Sequence, residues 1–149
     1  MRRPSIVLAF IAFVASSTTV VATAAGAAAP NPCRLVTQAD AHAVLEATVK
    51  PGKLQSLGLF QSCTYTTAKF MTLTVQTRSM SRADFVKSAK ANPGPVKPVG
   101  GIGAVAYSAG GGVTLLVWRR GSEATFSIYG AGPALAREIT LAKRVVPRL

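Results

Sequence analysis

A chain of 149 residues has room for one domain and a short appendage, because domains usually run to about 100–150 residues. Seventeen Lys and Arg stand against five Asp and Glu and a single His. That balance favours polyanionic partners, repels other cations, and leaves the carboxylates too few and scattered to nominate an acid–base pair.

The appendage comes first. Arg2 and Arg3 supply a positive start, Ile6 to Val14 is an unbroken apolar run, and small residues from Ala15 to Ala29 end in Ala-x-Ala steps. This is the layout of a secretory signal peptide over residues 1–27, with cleavage after Ala24 or Ala27, and it leaves 28–149 as one exported domain. An uncleaved anchor is the competing reading, but the apolar run is short for a span. No later segment is long and apolar enough to cross a bilayer. Losing Arg2 and Arg3 leaves 15 Lys and Arg against five acids, a net charge of +10.

Cys33 follows Pro30, Asn31 and Pro32, a context that disfavours lipidation, for which small residues and an upstream Leu would be needed. Cys63 is the only other cysteine, and two cysteines in an exported chain most simply pair. A catalytic thiol would need a base, and His42 is the only histidine.

After Cys33 the run VTQADAHAVLEATV predicts a helix, with Thr37 and Asp40 forming a capping-box pattern and Pro51-Gly52 ending it. Lys53 to Gln61 shows no clear period. CTYTT and FMTLTVQTR then read as strands. A two-residue turn at Ala68-Lys69 would set Cys63 and Tyr65 away from Met71 and Leu73; a loop one residue longer would bring them together.

Ser81 and Asp84 open a second helix that packs Phe85, Val86 and Ala89 and stops before Pro93. The Pro/Gly stretch NPGPVKPVGGIG leads into AVAYS, a triple-glycine turn, and the hairpin VTLLVWRRGSEATFSIYG. Turn residues Gly121-Ser122 would pair Arg120 with Glu123, Val117 with Phe126 and Leu115 with Ile128. A last helix from Pro133 carries the stripe Leu135, Ile139, Ala142 and Val146, with Arg137 and Arg144 opposite. The predicted order is α-β-β-α-(β)-β-β-α. It describes an α+β domain in which helices pack on an antiparallel sheet of four to five strands.

The stretches PCRLVTQADAHAVL, SCTY, GIGAVAY and VWRRGSEATFSIYG together resemble a group of small exported actinobacterial proteins and lipoproteins assigned to domains of unknown function. The resemblance implies a secreted or envelope-attached α+β domain with a Cys33–Cys63 bridge, and it transfers no catalytic residue. Three departures stand out. The lipid-acceptor context is missing, Glu46 stands where a helix-ending Gly is usual, and Ala104 stands where an acid often follows the second Gly.

Gly101-Ile102-Gly103-Ala104-Val105-Ala106 fits a loose dinucleotide-binding pattern, with Glu123 where a ribose-binding acid would be sought. No strand precedes it and no helix follows, so no helix N-terminus is offered to a pyrophosphate. His42 and Glu46, four apart on one helix, are two ligands without a partner motif and read as a surface pair. No G-x-S-x-G elbow places a nucleophilic serine.

Trp118, Arg120 and Tyr129 on the hairpin would form a stacking, cationic surface, against the plainer reading that this face packs under a helix. Lys87, Lys90, Lys97, Arg119, Arg120, Arg137, Lys143 and Arg144 are the basic residues that would touch an anion if they converged, and otherwise form a solvated surface.

The expected function is that of an exported, non-catalytic binding or structural domain of the cell envelope or medium. Its expected partners are anionic envelope polymers, a membrane surface or another exported protein, with neither nucleic acid nor a cofactor involved. A small-molecule or lipid carrier is the alternative, and it would need a pocket between sheet and helices.

Overall fold

The computed structural model describes residues 28–130 and 132–149; the leader and its cleavage steps lie outside them. The domain begins with two short helices, α1 (Pro32–Leu35) and α2 (Gln38–Leu45). Asn31 caps the first through a bond from the Cys33 N–H at 2.9 Å. Thr37 and Asp40 form the expected capping box on the second. That helix stops at Leu45 because Glu46 turns left-handed at φ 52°, the conformation for which glycine is the usual choice. The helix therefore ends six residues before Pro51-Gly52.

One antiparallel sheet follows, with strands β1 (Lys53–Leu57), β2 (Phe60–Thr66), β3 (Thr72–Ser79), β4 (Lys97–Pro98), β5 (Val105–Ala109), β6 (Thr114–Arg119) and β7 (Ser122–Tyr129). Their order across the sheet is β1-β2-β3-β7-β6-β5-β4. Two meanders meet where β3 pairs with β7, from Thr72 opposite Tyr129 to Ser79 opposite Ser122. Helix α3 (Arg82–Lys90) joins the meanders, α4 (Ala134–Val145) follows the second, and a 3-10 turn, Val146–Arg148, closes the chain.

Among the described residues seven strands replace the four to five expected, and the two that no predicted strand matches, β1 and β4, lie at the edges. In β1 the two leucines fall on opposite faces and all five residues are exposed, so no alternating pattern announces the strand. With only Lys97 and Pro98, β4 is too short to show a period.

Two registers were in question. Between β2 and β3 the loop is the longer one, Ala68-Lys69-Phe70, and it sets Tyr65 opposite Leu73 and Cys63 opposite Val75. In the late hairpin the turn centres on Arg120-Gly121, not Gly121-Ser122. Both residues have positive φ, 49° and 82°, as a type I′ turn requires. The pairs are Arg119 with Ser122, Val117 with Ala124 and Leu115 with Phe126, so the expected pairing was displaced by two residues. A shift of two preserves the faces: Val117 and Phe126 still share one side, and Trp118 and Thr125 the other.

The first face carries Cys63, Tyr65, Leu73, Val75, Leu115, Val117, Phe126 and Ile128, buried under α1, α2 and α4. The chain approaches Cys63 closely at Gly52. A Cβ there would lie 2.6 Å from Cys63 Sγ and 2.7 Å from the Tyr65 ring. On the second face α3 packs Phe85 and Ala89 against Ala109 and Leu116. The remainder of that face, over β2, β3 and β7, carries half-buried Thr64, Thr66, Thr72, Thr74, Gln76, Thr125 and Ser127. An antiparallel sheet tolerates such a polar, partly open side.

Candidate functional site

Cys33 and Cys63 form a disulfide with their Cα atoms 5.2 Å apart, tying α1 to β2. Beside it the Tyr65 hydroxyl donates to the Val36 carbonyl. Burial, and after it the Asp40 charge, raise this hydroxyl above its ordinary pKa.

Asp40 organises the same corner. Its Oδ2 accepts from the Thr37 N–H at 3.0 Å, the Thr37 hydroxyl at 2.8 Å and Arg148 Nη1 at 2.7 Å. Arg144 Nη1 lies 3.9 Å from Oδ1. Burial alone would raise this carboxyl, but the Arg148 hydrogen bond, the Thr37 bonds and the Arg148 charge together hold it below the usual value. Arg148 also donates to the Leu35 carbonyl at 2.9 Å, which stitches the chain's end to its first helices.

Each remaining acid has a partner too. Glu123 pairs with Arg78, which also donates to the Ser88 hydroxyl at 3.0 Å and lies 4.6 Å over the Phe60 ring. Glu46 meets Arg137 Nη2 at 3.3 Å, and Asp84 accepts from the Ser81 hydroxyl at 2.7 Å at the start of α3. Glu138, fully buried on α4, accepts from the Ile128 N–H at 2.9 Å, while its Oε2 has no hydrogen-bond partner among the described residues. Burial, less the effect of that bond, pushes its carboxyl up to about 7. Four of the five acids thus tie distant parts of the chain together, while Asp84 stays exposed at the start of α3.

The sequence-derived contact residues are dispersed. Trp118 is half-buried beneath α3 and donates its indole N–H to the Met80 carbonyl at 2.9 Å. Tyr129 is 55% exposed at the far end of β7 from Glu123, the partner of Trp118. Six residues of strand separate Glu123 from Tyr129, about 20 Å at ~3.3 Å each, so Trp118 and Tyr129 do not share a site. Arg119 turns to the other face and donates to the Val146 carbonyl at 2.7 Å, whereas Arg120 is exposed in the turn. Lys87 and Lys90 are exposed on α3, on one side of the sheet. Arg137, Lys143 and Arg144 belong to α4, on the other side.

His42 is exposed on α2, and no group of three metal-ligating side chains occurs among the described residues. The Gly101 to Ala106 segment runs from a loop into β5, with no helix after it, as the dinucleotide reading would have required. A surface cleft of about 570 Å³ is lined by polar Gln61, Arg78, Ser79 and Asp84 together with Leu59 and Met80. Between α2 and α4 lies a smaller one of about 190 Å³ that includes Glu46 and Arg137.

The ionic partnerships were beyond sequence reasoning because they join distant positions, Asp40 with Arg148 and Arg78 with Glu123. Glu138 did leave a signal. The buried positions Ala134, Glu138, Leu141 and Val145 are spaced four, three and four apart, a core stripe with an acid in it. This stripe is rotated from the expected one, whose Leu135 and Ile139 are only partly buried.

The chain matches no protein-family model, no curated protein and no solved structure. The resemblance to exported actinobacterial proteins therefore stays an expectation, and membership of a family is not shown. Among the described residues no helix is long and apolar enough to cross a membrane.

Proposed function

We propose that the chain is an exported, non-catalytic binding or structural domain of the cell envelope or surrounding medium, one that adsorbs to anionic polymers or membrane surfaces through many separate cations. One observation carries the reading: four of the five carboxylates are engaged in contacts between distant parts of the chain. Among the described residues the ion pairs take up Arg78, Arg137, Arg144 and Arg148, and the one exposed carboxylate outside them, Asp84 on α3, is outnumbered by Lys87, Lys90, Arg120 and Lys143. An unneutralised basic surface attracts polyanions. The disulfide is compatible with an extracytoplasmic location, where such bonds persist.

With cations on both sides of the sheet, the partner this surface suits is an extended or flexible one, since a small rigid anion reaches only a few of them. The carrier reading calls for an enclosed, largely apolar pocket, whereas the 570 Å³ cleft described above is a surface feature with charged Arg78 and Asp84 in its lining. Retention of the mature protein on anionic vesicles and on a sulfated polysaccharide tests the proposal. It is expected at low salt, with release at physiological salt and weakening in a Lys87→Glu/Lys90→Glu variant. Absence of retention at low salt, or retention unaffected by both changes, moves weight to the carrier.

A further inference from the structure

Among the described residues β1 and β4 are the outer strands, and they are finished differently. β4 is two residues long and ends in Pro98, which has no N–H to offer a neighbour. On the approach to β1, Pro51 blunts the edge in the same way, but from Lys53 to Leu57 only the charge of Lys53 does. That stretch contains no proline and one charge, and its five residues are all exposed. Leu54 is 48% exposed, Leu57 55%, and Leu59 in the following turn 88%. Sheets ordinarily protect such an edge with shortness, proline or charge, because unpaired backbone groups beside apolar side chains recruit further strands.

We propose that the β1 edge is a docking surface for an extended segment of another exported protein, apolar along its length and acidic at its C-terminal end, which adds as an eighth strand antiparallel to β1. The polarity follows from what flanks the edge. Exposed Lys50 and Lys53 lie at the N-terminal end of β1, and Leu57 and Leu59 at the other. From Val49 to Thr66, across β1, its turn and β2, the chain has no acid. An antiparallel newcomer brings its C-terminal end beside Lys53, so a carboxylate there meets uncompensated positive charge, while backbone hydrogen bonds supply the remaining affinity. A second copy fits less well, since its own β1 has only a lysine to offer and each mature chain is strongly basic. This proposal stands apart from the diffuse adsorption above, because it is localised to five residues and depends on a backbone ladder.

The test uses the mature, disulfide-bonded protein and a synthetic peptide of alternating valine and threonine, N-acetylated and ending in two glutamates. Amide chemical shifts and hydrogen exchange are followed on titration. Shifts and protection confined to Lys53–Leu57 are expected. Binding should be about tenfold weaker when the glutamates are moved to the N-terminus, a loss of roughly 1.4 kcal/mol. It should vanish when alternate peptide nitrogens are methylated. Leu57→Lys blunts the edge with an exposed charge and should weaken binding at least as much; Ser56→Pro does so through the backbone, with its folding checked by thermal melting. The proposal is overturned by unchanged β1 amides at millimolar peptide, or by shifts confined to Lys87 and Lys90. It is also overturned by a free protein that sediments as a dimer until Leu57→Lys is introduced, which would assign the edge to a second copy.

Discussion

Glu138 places a carboxyl group inside the core with one oxygen on the Ile128 N–H and the other unpartnered among the described residues. Its pKa, raised from 4.5 to about 7, means that the folded state holds the proton more tightly than the unfolded chain. Its contribution is therefore complete below about pH 4.5 and is lost as pH rises through about 7. Asp40 has the opposite sign: with its pKa lowered, its stabilisation is present above the ordinary carboxylate value and is lost as pH falls through the folded value. Melting temperature should consequently peak in mildly acid solution and fall between pH 5 and 8. Glu138→Gln, which keeps the acceptor for Ile128, should flatten the descending limb; an unchanged limb would show that another group titrates there.

Backbone constraints give two further expectations at this scale. A left-handed residue other than glycine costs about 1–2 kcal/mol, part of which glycine returns through its greater freedom when unfolded. Glu46→Gly should therefore stabilise by about 0.5–1 kcal/mol despite losing the exposed Arg137 pair, which is worth little. Gly52→Ala should destabilise by about 1–3 kcal/mol, because its Cβ would collide with the disulfide sulfur and the Tyr65 ring. Urea denaturation measures both.

At the scale of elements, the starts of α2 and α3 and the faces of the strands were legible, whereas α1, the buried stripe of α4 and the registers were not. Thr37 with Asp40 and Ser81 with Asp84 announce the starts of α2 and α3 because capping is local chemistry, complete within four residues. The alternation in β3 and β7 likewise marks which side chains go inward, since that pattern survives any even shift. Where a turn centres depends on the left-handed tolerance of single residues, and Arg120 gives no sign in sequence of adopting positive φ. Arg120→Asn supplies the residue best suited to that position before Gly121 and should stabilise the hairpin by several tenths of a kcal/mol. If the turn instead centred on Gly121-Ser122, the substitution would have no such effect, and cross-strand contacts would link Val117 with Phe126 in place of Ala124.

For the whole molecule, the composition already announced a basic domain with one bridge, whereas the disposition of its charges had to await the sheet. Helices α3 and α4 are each recognisable from sequence, but which side of the sheet each one covers depends on crossovers with no local signature, so the separation of Lys87 and Lys90 from Lys143 was invisible. The bridge closes a loop from the first helix to β2, and replacing both Cys33 and Cys63 by serine should cost roughly 3–4 kcal/mol in urea denaturation. The central claim, that cations on both sides act together on an extended anion, is tested most directly by the salt dependence of affinity for a sulfated polysaccharide. Affinity should fall linearly on logarithmic axes, with a slope of about −2 to −4. Reversing charge at Lys87 and Lys90, or at Lys143, should each lower the slope in part, and reversing all three should lower it further. A slope near zero, or one abolished by reversal on a single side, would contradict the account.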